Sequence, residues 1–246
     1  MEPLAVAIVI PTINEAQSIK YVLGEVPRDL AREVIVVDGG SSDGTPAVAA
    51  AAGARVVAVG ARGYGRACAA GIAAAAPECG IIVFMDGDGA DRGDLMGLLV
   101  DPIRSGEYDF VIASRARGKR EPGAMSWHQL LAGRLAGLGM ASLYGVRFTD
   151  MCAYRAIRRD CLERLGMREM TYGWNIEMQM RAARAGLRIL EVAMPYRRRS
   201  AGASKVAGSL MGSLRAAVRI TATFTRVALA SRGHDHFAAR PPSTAR

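Results

Sequence analysis

Asp86 and Asp88 stand one residue apart, directly after the five apolar residues Ile81 to Met85. Carboxylates are hard oxygen donors, and such a pair suits Mg²⁺ or Mn²⁺ held together with ligand phosphates. Gly87 and Gly89 let the backbone approach a ligand or take positive φ. An apolar run closed by Asp and Gly predicts a central, buried strand of a parallel sheet. Ligands of open parallel sheets bind just outside the carboxyl ends of the strands. The two carboxylates are therefore expected where a ligand sits. Alone, an Asp-x-Asp of this kind also reads as a solvated turn, and its company gives it weight.

Two more strand ends carry polar signals: Pro11-Thr12-Ile13-Asn14-Glu15, and the glycine- and serine-rich run from Asp38 to Thr45. A further turn, Arg62-Gly63-Tyr64-Gly65-Arg66, offers backbone N–H groups and the guanidiniums of Arg62 and Arg66 at a helix start. Helix N-termini and arginine are both good anion partners. Together these runs describe a nucleoside-diphosphate site with a divalent metal.

The elements that position them follow from hydrophobic patterning. Strands are expected at 4–10, 33–37, 55–59, 81–85 and 108–113, with helices at about 15–24, 46–52, 64–76 and 95–104. Asn14 is the expected cap of the first helix. This β-α alternation predicts a parallel sheet with right-handed crossovers. Beyond Ser114 come a basic loop (115–124), a helix at 126–144 read as core packing or a substrate groove, a short strand or loop at 150–157, a helix at 175–185 and a strand at 188–192. A basic loop follows at 195–203. The last expected element, 204–230, is an amphipathic helix with Arg215, Arg219 and Arg226 against an apolar face. The division is one domain over 1–203, the helical appendage 204–230, and a frayed tail over 231–246.

The 246 residues carry a net charge of +9. The surplus is C-terminal: residues 181–246 hold 13 basic and 2 acidic residues. Such a face suits anionic lipid or a phosphorylated ligand. Its lack of interleaved aromatics argues against nucleic acid. Cys68, Cys79, Cys152 and Cys161 form no C-x-x-C pair and read as reduced core thiols of a cytoplasmic protein. No secretory signal and no apolar run long enough to span a bilayer is evident.

The chain resembles the family 2 glycosyltransferases, which have the GT-A fold, and within them the dolichol-phosphate (polyprenyl-phosphate) mannosyl- and glucosyltransferases. The resemblance covers about residues 5–220. It rests on Pro11–Glu15, Val36–Thr45, Asp86–Asp88, Ile112–Arg115, Thr149–Ala156, Tyr172–Glu177 and Pro195–Val206. It implies a Rossmann-like α/β domain with a mostly parallel central sheet flanked by helices. It further implies that Pro11, Thr12, Glu15 and Asp38 hold the base and ribose of a UDP- or GDP-linked sugar. Asp86 and Asp88 would bind the metal that bridges the diphosphate, with Gly87 beside the ligand. Arg115, Arg199, Ser204 and Lys205 would handle phosphate, and Glu177 would lie near the sugar. Two positions depart from the family: Gly39 follows Asp38 where a second acid is frequent, and Ile13 replaces the usual aromatic. The base, uracil or guanine, stays open.

The implied reaction is attack of an acceptor oxygen on the anomeric carbon of a nucleotide sugar, with inversion and loss of a nucleoside diphosphate. A hydroxyl acceptor needs a general base. Relatives acting on hydroxyls often carry a Glu-Asp pair where this chain has Trp174-Asn175, ahead of Arg181 to Gly186. A phosphate monoester is already anionic and needs cations only, which points to polyprenyl phosphate. Asp150 and Glu177 remain candidate bases, and a soluble small-molecule acceptor is the alternative. The C-terminal basic helix would lie at the membrane surface. A sugar nucleotidyltransferase expects a basic, glycine-rich turn after the first strand, which Pro11–Glu15 does not supply. A non-catalytic basic binding module leaves the Asp-x-Asp without a purpose.

Overall fold

The computed structural model describes residues 4–200 and 210–230. Its strands are β1 (Ala5–Thr12), β2 (Glu33–Asp38), β3 (Arg55–Ala58), β4 (Cys79–Phe84), β5 (Phe110–Ser114), β6 (Arg155–Arg158) and β7 (Ile189–Ala193). They form one seven-stranded sheet in the order β3-β2-β1-β4-β6-β5-β7. β6 runs antiparallel to β4 and β5, and the other pairings are parallel. The helices are α1 (Ala16–Glu25), α2 (Thr45–Ala51), α3 (Tyr64–Ala74), α4 (Gly97–Arg104), α5 (Trp127–Tyr144), α6 (Arg159–Leu165), α7 (Trp174–Arg184) and α8 (Leu210–Ala230).

Val6 to Ile10 on β1 and Ile81 to Phe84 on β4 are buried throughout, as strands covered on both faces must be. The Ala-rich α3 sits close on the sheet because Gly71 faces Val9, where a Cβ would overlap the valine. The chain leaves β1 for β2 and β3 on one side, then returns to place β4 on the other. That reversal opens a crevice at the carboxyl ends of β1 and β4. The loops 13–15 and 85–92 meet there.

The structure departs from the sequence expectations in four places. Asn14 does not cap α1; it takes φ 53°, which Asn tolerates, and its Oδ1 accepts the Ser42 N–H at 2.8 Å. The cap falls to Asp43 across the loop, whose Oδ2 accepts the Ala16 N–H at 3.0 Å. The 150–157 segment yields β6, shifted to Arg155–Arg158 and inserted antiparallel between β4 and β5. α6 follows it directly and was not expected. α8 lays Thr223, Phe224, Val227 and Ala228 against the domain; Thr223 Oγ1 donates to Glu169 at 3.0 Å, and Phe224 meets Gly139 of α5. Val218 and Leu229 on the same helix stay exposed. Among the described residues, no helix is long and apolar enough to cross a membrane.

Candidate functional site

At the end of β1, Pro11 and Thr12 lie in register with Val37 and Asp38 of β2. Thr12 Oγ1 donates to the Val37 carbonyl at 3.3 Å. The buried Asp38 carboxylate accepts N–H groups of Gly40 and Ser41, both at 3.0 Å, and the Ser41 hydroxyl at 2.5 Å. It therefore shapes the loop that follows β2. Glu15 is buried, takes the Ser18 hydroxyl at 3.1 Å, and pairs with Arg199 Nη2 at 3.0 Å.

The Asp86–Asp91 turn follows β4. Gly87 packs where a Cβ would stand 2.9 Å from Thr12 Cγ2, and its carbonyl accepts the Ser18 hydroxyl at 2.7 Å. Asp88 Oδ1 accepts the Ala90 N–H at 2.9 Å, and its Oδ2 lies 3.2 Å from Arg199 Nη1. Asp91, which sequence reasoning did not single out, is buried, and its Oδ2 accepts the Asp86 N–H at 3.2 Å. Burial, then the Asp88 charge, pushes the Asp86 carboxyl up to about 7. Burial, then Asp86, pushes Asp91 well above the carboxylate range.

So much negative charge in one place suits a cation. Among the described residues no group of three or more acidic, His or Cys side chains is arranged to hold a metal by itself. The arrangement fits an ion carried by one or two carboxylates and completed by substrate phosphates. Asp86 and Asp88 are the residues that would hold it.

The segment 194–200 straps this turn down. Arg197 pairs with Glu25 at 2.6 Å and donates to the Asp91 carbonyl at 2.9 Å. The Arg197 N–H bonds the Ala90 carbonyl at 3.1 Å, and the Ser200 N–H bonds the Asp88 carbonyl at 3.0 Å. Of the basic loop expected to receive phosphate, Arg199 is therefore committed to the site acids Glu15 and Asp88, and Arg197 to Glu25 on α1. Ser204 and Lys205 lie outside the described residues.

Arg115, at the end of β5, makes a bidentate pair with Asp150, 2.8 Å from each oxygen, and stacks over Tyr196 with its guanidinium 5.0 Å from the ring centre. Its backbone N–H also donates to Asp150 at 2.9 Å. Burial works to raise the Asp150 carboxyl, but Arg115 and the hydrogen bonds outweigh it and hold the group below its ordinary range. Asp150 is thus held as the ion-pair partner of Arg115. Glu177, the other candidate base, lies on α7. It is fully buried, with Oε2 accepting the N–H groups of Arg168 and Glu169 and Oε1 paired with Arg181 at 3.0 Å. It organises the 168–169 turn.

The Gly63–Arg66 turn is no open anion cradle. The N–H groups of Gly65 and Arg66 donate to the carbonyls of Thr171 and Met170 at 3.3 and 3.0 Å, and the Arg66 side chain is exposed. A Cβ on Gly65 would overlap the Glu169 carbonyl oxygen. Gly65→Ala is expected to cost about 2 kcal/mol of stability, read as a lower urea midpoint with unchanged slope.

Residues 7–166 match the family described as Glycosyl transferase family 2. The chain is 37% identical over 205 residues to the dolichyl-phosphate hexose transferase of Haloferax volcanii, covering 81% of this chain and 86% of that one. It is 32% identical over 235 residues to the undecaprenyl-phosphate mannosyltransferase of Micrococcus luteus, covering 89% and 93%. Among solved structures it is similar to glucosyl-3-phosphoglycerate synthase from Mycobacterium tuberculosis in complex with Mn²⁺, UDP-glucose and phosphoglyceric acid. That likeness has a TM-score of 0.72 and 25% identity, covering 92% of this chain and 80% of that one. With the seven-stranded sheet, the crevice at β1 and β4 and the acidic turn beside it, these likenesses agree: the chain is a glycosyltransferase of the GT-A fold and belongs to glycosyl transferase family 2.

Proposed function

We propose that this glycosyltransferase moves a hexose from a UDP- or GDP-linked donor to a polyprenyl phosphate, with inversion at the anomeric carbon. A phosphate oxygen of the acceptor forms the new bond to that carbon. The bond to the donor diphosphate breaks, and the electron pair leaves with the nucleoside diphosphate. A bound Mg²⁺ or Mn²⁺, held by Asp86 and Asp88, would stabilise the charge on that leaving group. Pro11, Thr12, Glu15 and Asp38 would line the nucleoside end, and Arg115 would position the acceptor phosphate.

The observation that carries the reading is the Arg115–Asp150 pair. The acid there is spent on holding a cation, which suits an acceptor that is already anionic and needs no base. The names of the Haloferax and Micrococcus relatives support a lipid phosphate. The Mycobacterium structure, with phosphoglyceric acid, favours a second reading in which the acceptor is a soluble phosphorylated metabolite. The four cysteines, all free and buried, fit work in the cytoplasm.

A radiolabelled transfer assay tests this with UDP-glucose, GDP-mannose and UDP-GlcNAc against a polyprenyl phosphate and 3-phosphoglycerate. The expected result is Mg²⁺- or Mn²⁺-dependent label in the organic phase from one donor. Label appearing only in a water-soluble phosphorylated product would replace the lipid acceptor with the second reading.

A further inference from the structure

α5 is built inside out. Its buried positions are Gly133, Gly137 and Met140, while Trp127, Leu131, Leu135 and Leu138 point to solvent. Trp127 is 75% exposed and Leu135 60%. A helix on a water-facing surface carries the opposite pattern, apolar inward and polar outward. The glycines explain the geometry. A Cβ on Gly137 would overlap the Phe148 carbonyl oxygen, and one on Gly133 would stand 3.4 Å from the Thr149 oxygen. Small residues bring α5 down onto the 148–150 backbone, and the bulky residues are left outside. Trp127, Leu131, Leu135 and Leu138 recur at i, i+4, i+8 and i+11, one stripe of the helix. The groove between α5 and α8, lined by Leu143, Phe224, Ala228 and Leu229, extends the apolar surface.

An apolar stripe of this kind marks a surface that is covered in use. Its charge surroundings select the cover. α5 has no acidic residue, and between 115 and 149 the chain carries Arg115, Arg117, Lys119, Arg120, Arg134 and Arg147 against the single acid Glu121. Arg117, Lys119, Arg120, Arg134 and Arg147 are exposed. A second copy of a chain with net charge +9 would be repelled by that rim, whereas an anionic bilayer is attracted to it. An interfacial tryptophan, leucines on one stripe and flanking arginines are also the composition of a helix lying in a membrane surface.

We propose that the outward stripe of α5 docks the enzyme on an anionic lipid bilayer. This rests on the lipid-acceptor reading in one respect. The backbone under α5 carries Asp150, so docking there brings a membrane-borne phosphate to the side of the molecule where Arg115 is held.

The test is vesicle co-sedimentation of the full chain with phosphatidylcholine alone and with phosphatidylglycerol added, for the wild type and the double variant Leu131→Ser/Leu135→Ser. Both leucines are exposed, and a thermal melt checks that the variant is folded. The expected result is binding to the anionic vesicles that falls at least about tenfold in the variant, with quenching of Trp127 by brominated lipid in the wild type. Equal binding by the two proteins would overturn the proposal. So would light scattering that finds a wild-type dimer dissolved by the substitutions, since the stripe would then cover a second copy. Failure of the acceptor reading shows separately: vesicle binding lost in the variant, with transfer only to 3-phosphoglycerate, keeps the docking face and removes the lipid acceptor.

Discussion

Asp88→Asn is expected to lower the rate of sugar transfer about a thousandfold, roughly 4 kcal/mol of transition-state stabilisation, with the fold intact. The substitution keeps the oxygen that accepts the Ala90 N–H at 2.9 Å, so the turn after β4 retains its cap. Arg199 keeps Glu15 as a partner at 3.0 Å, so the strap over the turn stays anchored. What disappears is one negative charge from a place crowded with them. Reaction at a nucleoside diphosphate needs stabilisation of the leaving group, and a cation held by Asp86 and Asp88 would provide it. Steady-state rates at saturating donor, beside calorimetric titration of Mn²⁺ with UDP, check this. The expected pattern is a loss of kcat and of metal-linked UDP affinity together. A variant that turned over normally would remove the turn from the chemistry and leave the proposed reaction without a leaving-group device.

That expectation was legible in the sequence because its signals are local. Apolar runs closed by Asp and Gly located β2 and β4, and one closed by Pro11-Thr12 located β1, to within a few residues, and the strand-end rule put their loops at one edge. What escaped is long-range. Arg199 meets Glu15 from 184 residues away, and Arg197 meets Glu25 from 172. No spacing rule announces such pairs, so 195–203 read as free basic charge. β6 is short and antiparallel, and its place between β4 and β5 depends on pairing energies that no single segment encodes. The Gly63–Arg66 turn misled for a related reason. Its glycines do serve close approach, but the approaching group is the 169–171 backbone rather than a phosphate. For α5, apolar periodicity gave the helix correctly, yet periodicity alone does not say whether glycines or leucines face the core. Asp91 could have been singled out: an acid three residues beyond Asp88 in a glycine-rich turn is unusual, and its backbone hydrogen bond fixes Asp86.

The second large effect is expected at Asp150, and it separates two roles that the sequence left open. Asp150→Ala should destabilise the protein by about 3 kcal/mol, because it strips the partner from a guanidinium that is largely out of solvent. For a chain of this size the melting temperature should fall by about 10 °C. The loss should depend on pH in a defined direction. The Asp150 carboxyl is held below its ordinary value, so its stabilising contribution is present above about pH 4 and disappears as pH falls through the folded-state value. Wild type and variant should therefore converge in stability at strongly acidic pH. Catalysis supplies the discriminating readout. If Asp150 removed a proton from the acceptor, Asp150→Asn would abolish kcat and erase the acidic limb of the pH profile. If it positions Arg115, the variant raises the acceptor KM while the profile keeps its shape. The Arg115→Ala/Asp150→Ala double variant should then be little worse than either single one, since each removes the same pair. Additive losses, with a vanished acidic limb, would return Asp150 to the role of base and turn the acceptor back into a hydroxyl.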